Sequence, residues 1–201
     1  WIFDYKYENT YHSNGLNTLE SKYEWDIALN IWKGLNKYEY EYDNQKNTIL
    51  KIRYKWTDIS NSWIKYKKYE MAFDEANNQT LEAEYNWDVE NDSWKGRTYG
   101  KEETVFNQYG NDSVKFEYVW DDDLKDWKYY EKELYLYDEY QKLIRVNEYW
   151  YKEGWEQDYY IVYTYNDENT IRYYYHINFD DNDTIGKDIV YYDSFGNIIK
   201  T

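Results

Sequence analysis

Tryptophans fall along this chain on a fixed beat. Trp25 and Trp32, Trp56 and Trp63, Trp87 and Trp94, Trp120 and Trp127, and Trp150 and Trp155 make five successive pairs, and Trp25, Trp56 and Trp87 stand 31 residues apart. An aromatic follows each pair (Tyr42, Phe73, Phe106, Tyr137, Tyr165) and opens a polar turn. A repeat of this length is one supersecondary unit that cannot bury a face by itself and leans on its neighbours. Trp1 behaves as the second tryptophan of an incomplete unit. That gives a partial repeat 1–24, repeats at about 25–55, 56–86, 87–119, 120–149 and 150–178, and a degenerate repeat 179–201 with Phe179 in the first tryptophan slot. A worn terminal unit is expected of an end cap. No Ser/Gly linker or compositional break interrupts the series, so 1–201 reads as a single β-repeat domain.

Each unit carries two kinds of turn. The first, between the tryptophans, reads DIALNI, TDISNS, DVENDS and DDDLKD. Asp and Asn dominate it, as residues that bond their own backbone and tolerate left-handed dihedrals. The second reads YHSNG, YDNQK, FDEAN, FNQYG, YDEYQ, YNDEN and YDSFG. Its fifth position is Gly15, Lys46, Asn77, Gly110, Gln141, Asn169 and Gly196. A type I turn closed by a residue of positive φ selects such a set.

Between turns the period is two. Leu50, Ile52, Tyr54 and Trp56 share one face, as do Leu81, Ala83, Tyr85 and Trp87, and Val114, Phe116, Tyr118 and Trp120. Returning strands are expected to set Tyr38, Tyr40 and Tyr42 beside Trp32. This alternation predicts antiparallel strands with one aromatic face. The two tryptophans of a pair would face each other across a hairpin. The fold expected is an all-β, up-and-down antiparallel meander of about a dozen strands, extended as a single layer or partly rolled. A closed soluble β-barrel is the alternative. Lys65, Lys67, Glu131 and Glu133 fall by parity on the aromatic face, and a sealed interior rarely accepts such residues.

Composition narrows the function. The chain has 40 acidic and 24 basic residues, a net charge of −16, and a mean hydropathy of −1.17. That charge repels phosphate backbones and argues against nucleic-acid binding. No stretch of apolar residues is long enough for a membrane helix. The 30 Tyr, 11 Trp and 6 Phe argue against disorder. Cysteine is absent, which removes disulfides, thiolate metal sites and thiol nucleophiles. Proline is absent too, as uninterrupted hydrogen-bonded ladders require.

The segments YEYEYDNQKN, ELYLYDEYQK, YTYNDEN and VYYDSFGN resemble the Tyr-Asp repeats of bacterial surface and toxin-shell proteins. They resemble more closely the Trp- and Tyr-rich YDxxGN repeat proteins secreted by Bacteroidetes-type bacteria. Lys46 and Gln141 replace the motif's glycine in two units. The resemblance implies a secreted or cell-surface location and a structural or adhesive role, and it carries over no catalytic residues.

The residues themselves point the same way. His12 and His176 are unrepeated, and the serines sit mainly in turns, so a nucleophilic triad has no obvious members. A carboxylate glycosidase would need two acids across a cleft. Such a cleft is expected only where the repeat breaks, around Gly96–Gly100 or Trp150–Trp155. The acidic turns Asp121-Asp122-Asp123 and Asp180-Asp181-Asn182-Asp183 miss the spacing of a calcium loop and read as solvated turns. No metal or cofactor is expected. The expectation is a non-catalytic structural or adhesive segment, with a carbohydrate-binding module as alternative and a glycoside hydrolase as second alternative. The candidate ligand-binding residues are Trp25, Trp32, Trp56, Trp63, Trp87, Trp94, Trp120, Trp127, Trp150 and Trp155, facing a glycan or another surface protein. Open sheet edges would also suit partnering by strand addition.

Overall fold

The structure is a computed structural model and describes residues 5–165, 171–173, 176–178, 191–192 and 198–200. The strands are β1 (Tyr5–Tyr11), β2 (Asn17–Asp26), β3 (Ile31–Tyr42), β4 (Thr48–Thr57), β5 (Ser62–Phe73), β6 (Gln79–Asp88), β7 (Ser93–Phe106), β8 (Asp112–Asp121), β9 (Asp126–Tyr137), β10 (Leu143–Tyr151) and β11 (Trp155–Val162). Shorter strands follow: β12 (Thr164–Tyr165), β13 (Ile171–Tyr173), β14 (His176–Asn178), β15 (Tyr191–Tyr192) and β16 (Ile198–Lys200). Twelve of them form one antiparallel sheet, in the order β1 to β11 and then β14. The order never returns to β1, so the sheet is an open single-layer meander and not a barrel. By contacts, the chain divides into two units. The first is Trp1–Lys101 with Val119–Trp127, and the second is Glu102–Tyr118 with Lys128–Thr201.

Turn chemistry sets the hairpins. Gly15, Lys46, Asn77, Gly110 and Gln141 all have positive φ, between 63° and 85°. Asn169 and Gly196 lie outside the described residues. Each turn closes by one pattern: the Lys46 amide donates to the Asp43 carbonyl, and the Asp43 amide to the Asn47 carbonyl. The Asp43 carboxylate also accepts the amides of Gln45 and Asn47. Asp74 and Asn107 repeat this role. The Asn78 side chain and the surrounding amides hold the Asp74 carboxyl below its usual range. The turns between tryptophans have their own left-handed residue: Asn30, Asn61, Asp92 and Lys125, each two positions before the second tryptophan.

One device was invisible to a period-two reading. In the first unit, Tyr23 pairs with Gly34 but Lys22 pairs with Asn36, so Leu35 is an extra residue. Likewise Tyr54 pairs with Lys65 and Arg53 with Lys67, leaving Tyr66 extra. Such a bulge resets the alternation. Tyr38, Tyr40 and Tyr42 therefore do not share a face with Trp32, contrary to the parity count. Tyr38 and Tyr40 pair with Arg53 and Lys51, on the face opposite Tyr54 and Trp56. Lys65 stays on the indole face, whereas Lys67 moves to the other. The three tyrosines stack there at centroid spacings of 6.2 and 6.4 Å, with Lys51 over two of the rings.

Among the described residues only Ala83, Tyr118 and Val146 are buried hydrophobics. Half-buried aromatic and charged side chains cover the ladder instead, as amphipathic stems do. A Cβ at positive φ is strained, and glycine's greater freedom in the unfolded chain offsets only part of that strain, so Lys46→Gly and Gln141→Gly should each stabilise the chain by about 0.5–1 kcal/mol in urea unfolding. The same change at exposed Glu75 of the neighbouring turn, which has no positive φ, should not.

Candidate functional site

The predicted pairs meet as hairpin logic requires. Trp25 and Trp32, Trp56 and Trp63, Trp87 and Trp94, and Trp120 and Trp127 lie with centroids 4.9–5.3 Å apart, edge to face. Two of these pairs reach further. Trp56 and Trp63 lie over Gly34 and touch Tyr23 at its edge, at 6.3 and 5.7 Å. Trp63 Nε1 donates to the Tyr23 hydroxyl at 3.2 Å, and that hydroxyl donates to Glu8 at 3.0 Å. The second copy is Trp120 and Trp127 over Gly96, with Trp127 Nε1 donating to Tyr85 at 3.2 Å and Tyr85 to Glu70 at 2.9 Å. Each assembly is a clamp across five strands, β1 to β5 and β5 to β9, with a glycine as its saddle. A Cβ on Gly34 would lie 2.3 Å from Trp63 Cζ2, and one on Gly96 would lie 2.2 Å from Trp120 Cε3.

The intervening repeat solves the same position differently. Lys65 replaces the glycine, and its ammonium sits 4.3 Å from the Trp87 ring. The Tyr–Glu bond recurs regardless, as Tyr54 to Glu39 at 2.7 Å and Tyr118 to Glu103 at 2.6 Å. Burial and the facing carboxylate raise these phenols, and Tyr85 is pushed up to about 12. Eight candidate tryptophans thus meet in four ring-to-ring pairs.

In the second unit the pattern breaks. Trp155 pairs with Tyr151, at 5.1 Å, and not with Trp150 as their spacing had implied. Trp150 pairs with Glu156 and with Glu131, so it lies on the other side of the sheet from Tyr151. Trp150 comes one residue early: Trp56, Trp87 and Trp120 stand 13 residues after Asp43, Asp74 and Asn107, but Trp150 stands 12 after Asp138, so Tyr151 holds the tryptophan slot, and one position is one face. On that side Trp150 meets Tyr130 at 4.8 Å and 82°, and its Nε1 donates to Asp158 at 2.5 Å. Asp158 is itself an extra residue, since Glu148 pairs with Tyr159 and Tyr149 with Gln157. A surface depression of about 320 Å³ opens here, lined by Tyr130, Trp150, Lys152, Glu156 and Asp158 among others. Around Gly96, the other place where a cleft was expected, the indoles fill the space.

The same side carries a group that sequence reading did not single out. Glu133 pairs with Glu148 and Glu131 with Trp150, which brings Glu131, Glu133 and Glu148 together with carboxylate oxygens within 4.8 Å. Glu148 is only 6% exposed. These three are the described residues whose oxygens could together hold a hard cation. Burial, then the charges of Glu148, Glu117 and Glu133, push Glu131 up to about 8. Glu148 comes from the next strand, and the register that sets it opposite Glu133 cannot be read from either strand alone. The acidic turn at Asp121 is capped locally: its carboxylate accepts the amides of Asp123 and Leu124. Asp180–Asp183 lie outside the described residues.

Two outcomes follow. Gly34→Ala should destabilise the chain by about 1–3 kcal/mol in urea unfolding, as overpacking does. Gly154→Ala, with open space around the added methyl, should stay within about 0.5 kcal/mol. Glu131 titrates near 4.5 when unfolded and about 8 when folded. Its contribution is therefore intact below pH 4.5 and is lost as pH rises from there to 8. Glu131→Gln should match the parent near pH 4 and exceed its stability near pH 9, measured as the difference in urea midpoint.

No protein-family model matches the chain, and no curated protein does. Among solved structures it is similar to a protein of unknown function from Bacteroides fragilis, at 18% identity over 65% of this chain and 91% of that one, with a TM-score of 0.45. It is also similar to DUF3836 family proteins from Bacteroides vulgatus and Parabacteroides distasonis. Those matches have 15% and 14% identity, each over 47% of this chain, cover 92% and 87% of theirs, and have TM-scores of 0.38 and 0.37.

Proposed function

We propose that this chain is a non-catalytic structural and adhesive repeat segment of a secreted or cell-surface bacterial protein. The observation that carries the reading is the recurrence of one contact set. Among the described residues the Tyr–Glu bond at a separation of 15 residues occurs four times, from Tyr23–Glu8 to Tyr118–Glu103. A surface made of copies suits load sharing and multipoint contact better than one asymmetric reaction centre. Successive turns also join: Asn47 Nδ2 donates to Asn77 at 2.5 Å, and Asn111 Nδ2 to Gln141 at 3.3 Å.

Two features supply contact surface. In the first unit each turn between tryptophans holds an exposed aliphatic side chain at its tip: Ile27, Ile59, Val89 and Leu124, with Ile59 99% exposed. Strand β1 ends the strand order, and its Tyr5, Tyr7 and Tyr11 are exposed. Such an edge accepts a further repeat or a strand of another chain.

Stability should therefore grow with repeat number. Chains carrying two, four and all repeats should show rising urea midpoints, because each added interface contributes. A two-repeat chain as stable as the whole would overturn the reading. Replacing the four aliphatic tips by serine should leave the midpoint within about 0.5 kcal/mol, as surface changes do, while lowering adhesion of cells that display the chain.

A further inference from the structure

We infer that the depression around Trp150 is a binding site for a short neutral carbohydrate. Its walls are the half-buried rings of Trp150 and Tyr130, set at 82° to one another. Trp150 is the paired-series tryptophan that has left the indole face, and its ring has a phenol and not another indole beside it. Asp158 fixes the ring by accepting its Nε1 hydrogen at 2.5 Å. A carboxylate bound through one oxygen keeps lone pairs for a ligand.

The polar rim decides the ligand class. Lys152 and Glu156 form an ion pair at 3.2 Å, with both side chains more than 60% exposed. The rim thus offers an ammonium donor and two carboxylate acceptors, Glu156 and Asp158, above aromatic walls. An anion would meet Glu156, Asp158 and a chain of net charge −16. A cation would meet Lys152. A sugar hydroxyl donates and accepts at once, so a rim of both kinds suits it, and the ring's C–H surface suits the indole. The volume of about 320 Å³ lies at the low end of small-ligand sites and has room for a short glycan only.

In the β4–β5 hairpin the same place is closed from within. Lys55 occupies the position in β4 that Trp150 holds in β10, and Tyr66 is the extra residue of β5 as Asp158 is of β11. There the Lys55 ammonium lies 3.4 Å from the Tyr66 centroid. The β10–β11 hairpin exchanges that self-filled contact for a ring and a carboxylate beside open space.

The test uses the whole chain with its indole nitrogens labelled by ¹⁵N, titrated with neutral mono- and oligosaccharides of glucose, galactose, mannose and N-acetylglucosamine. Choline and a sulfated glycan serve as charged probes. The Trp150 signal is assigned by its loss in Trp150→Phe. A neutral sugar should shift that signal in the parent, and Asp158→Ala should weaken its affinity at least ten-fold, while Trp25→Phe leaves it within two-fold. The site is refuted if no neutral sugar moves the Trp150 signal, if a charged probe binds in their place, or if Asp158→Ala changes affinity less than two-fold. The parent titration stands whether or not a variant folds. This site would give the adhesive reading a partner, yet its failure would leave the dependence of stability on repeat number untouched.

Discussion

A β-sheet with no second layer has nothing to press its apolar face against. The hydrophobic effect must then act along the sheet, with each side chain burying the flank of the next. Every feature of the first unit answers that constraint. Tyrosine and lysine lie over neighbouring rungs, with their polar ends in water. Lys51 covers Tyr38 and Tyr40, Lys37 covers Tyr54, and Lys68 covers Tyr85. The largest side chains do most of this work, which is why a chain so polar on average holds so many rings.

The position two residues after the second tryptophan shows how narrow the options are. Gly34 and Gly96 make room for the next pair of indoles to fold back, while Lys65 fills the room with its own stem and charge. In the second unit Tyr129 holds that position and stacks on Tyr118 at 4.9 Å. Absent bulk, a cation over a ring and a ring on a ring are three ways to cover the same stretch of backbone. The clamps need the first of these, because only there can an indole reach the tyrosine beyond.

Much of this was written plainly in the residues. Asp, Asn and Gly at fixed offsets told where the chain turns and which residue adopts positive φ, even where Lys46 and Gln141 fill that place. The first four tryptophan pairs followed from hairpin geometry. What could not be read was the phase of the returning strand. KGLNKYEYEY alternates without visible interruption, yet the extra residue Leu35 exchanges its faces halfway. A bulge is a property of pairing, not of either strand alone, so no local composition announces it. The lysine and glutamate residues that had argued for an open sheet by their parity mostly lie on the other side. Openness is real for another reason: the strand order does not come back on itself. The Glu131, Glu133 and Glu148 group was hidden for a related reason, because the register of β9 on β10 is a property of the pair.

Trp150 shows what that parity makes available. A strand has two sides and nothing between them, so moving a residue by a single place in the chain carries it through the sheet. A repetitive scaffold can therefore turn mortar into a signpost without building a loop or a pocket from scratch. The one-residue displacement of Trp150 has the economy of a dropped stitch: the weave continues on both sides of it, and one thread now shows on the other face.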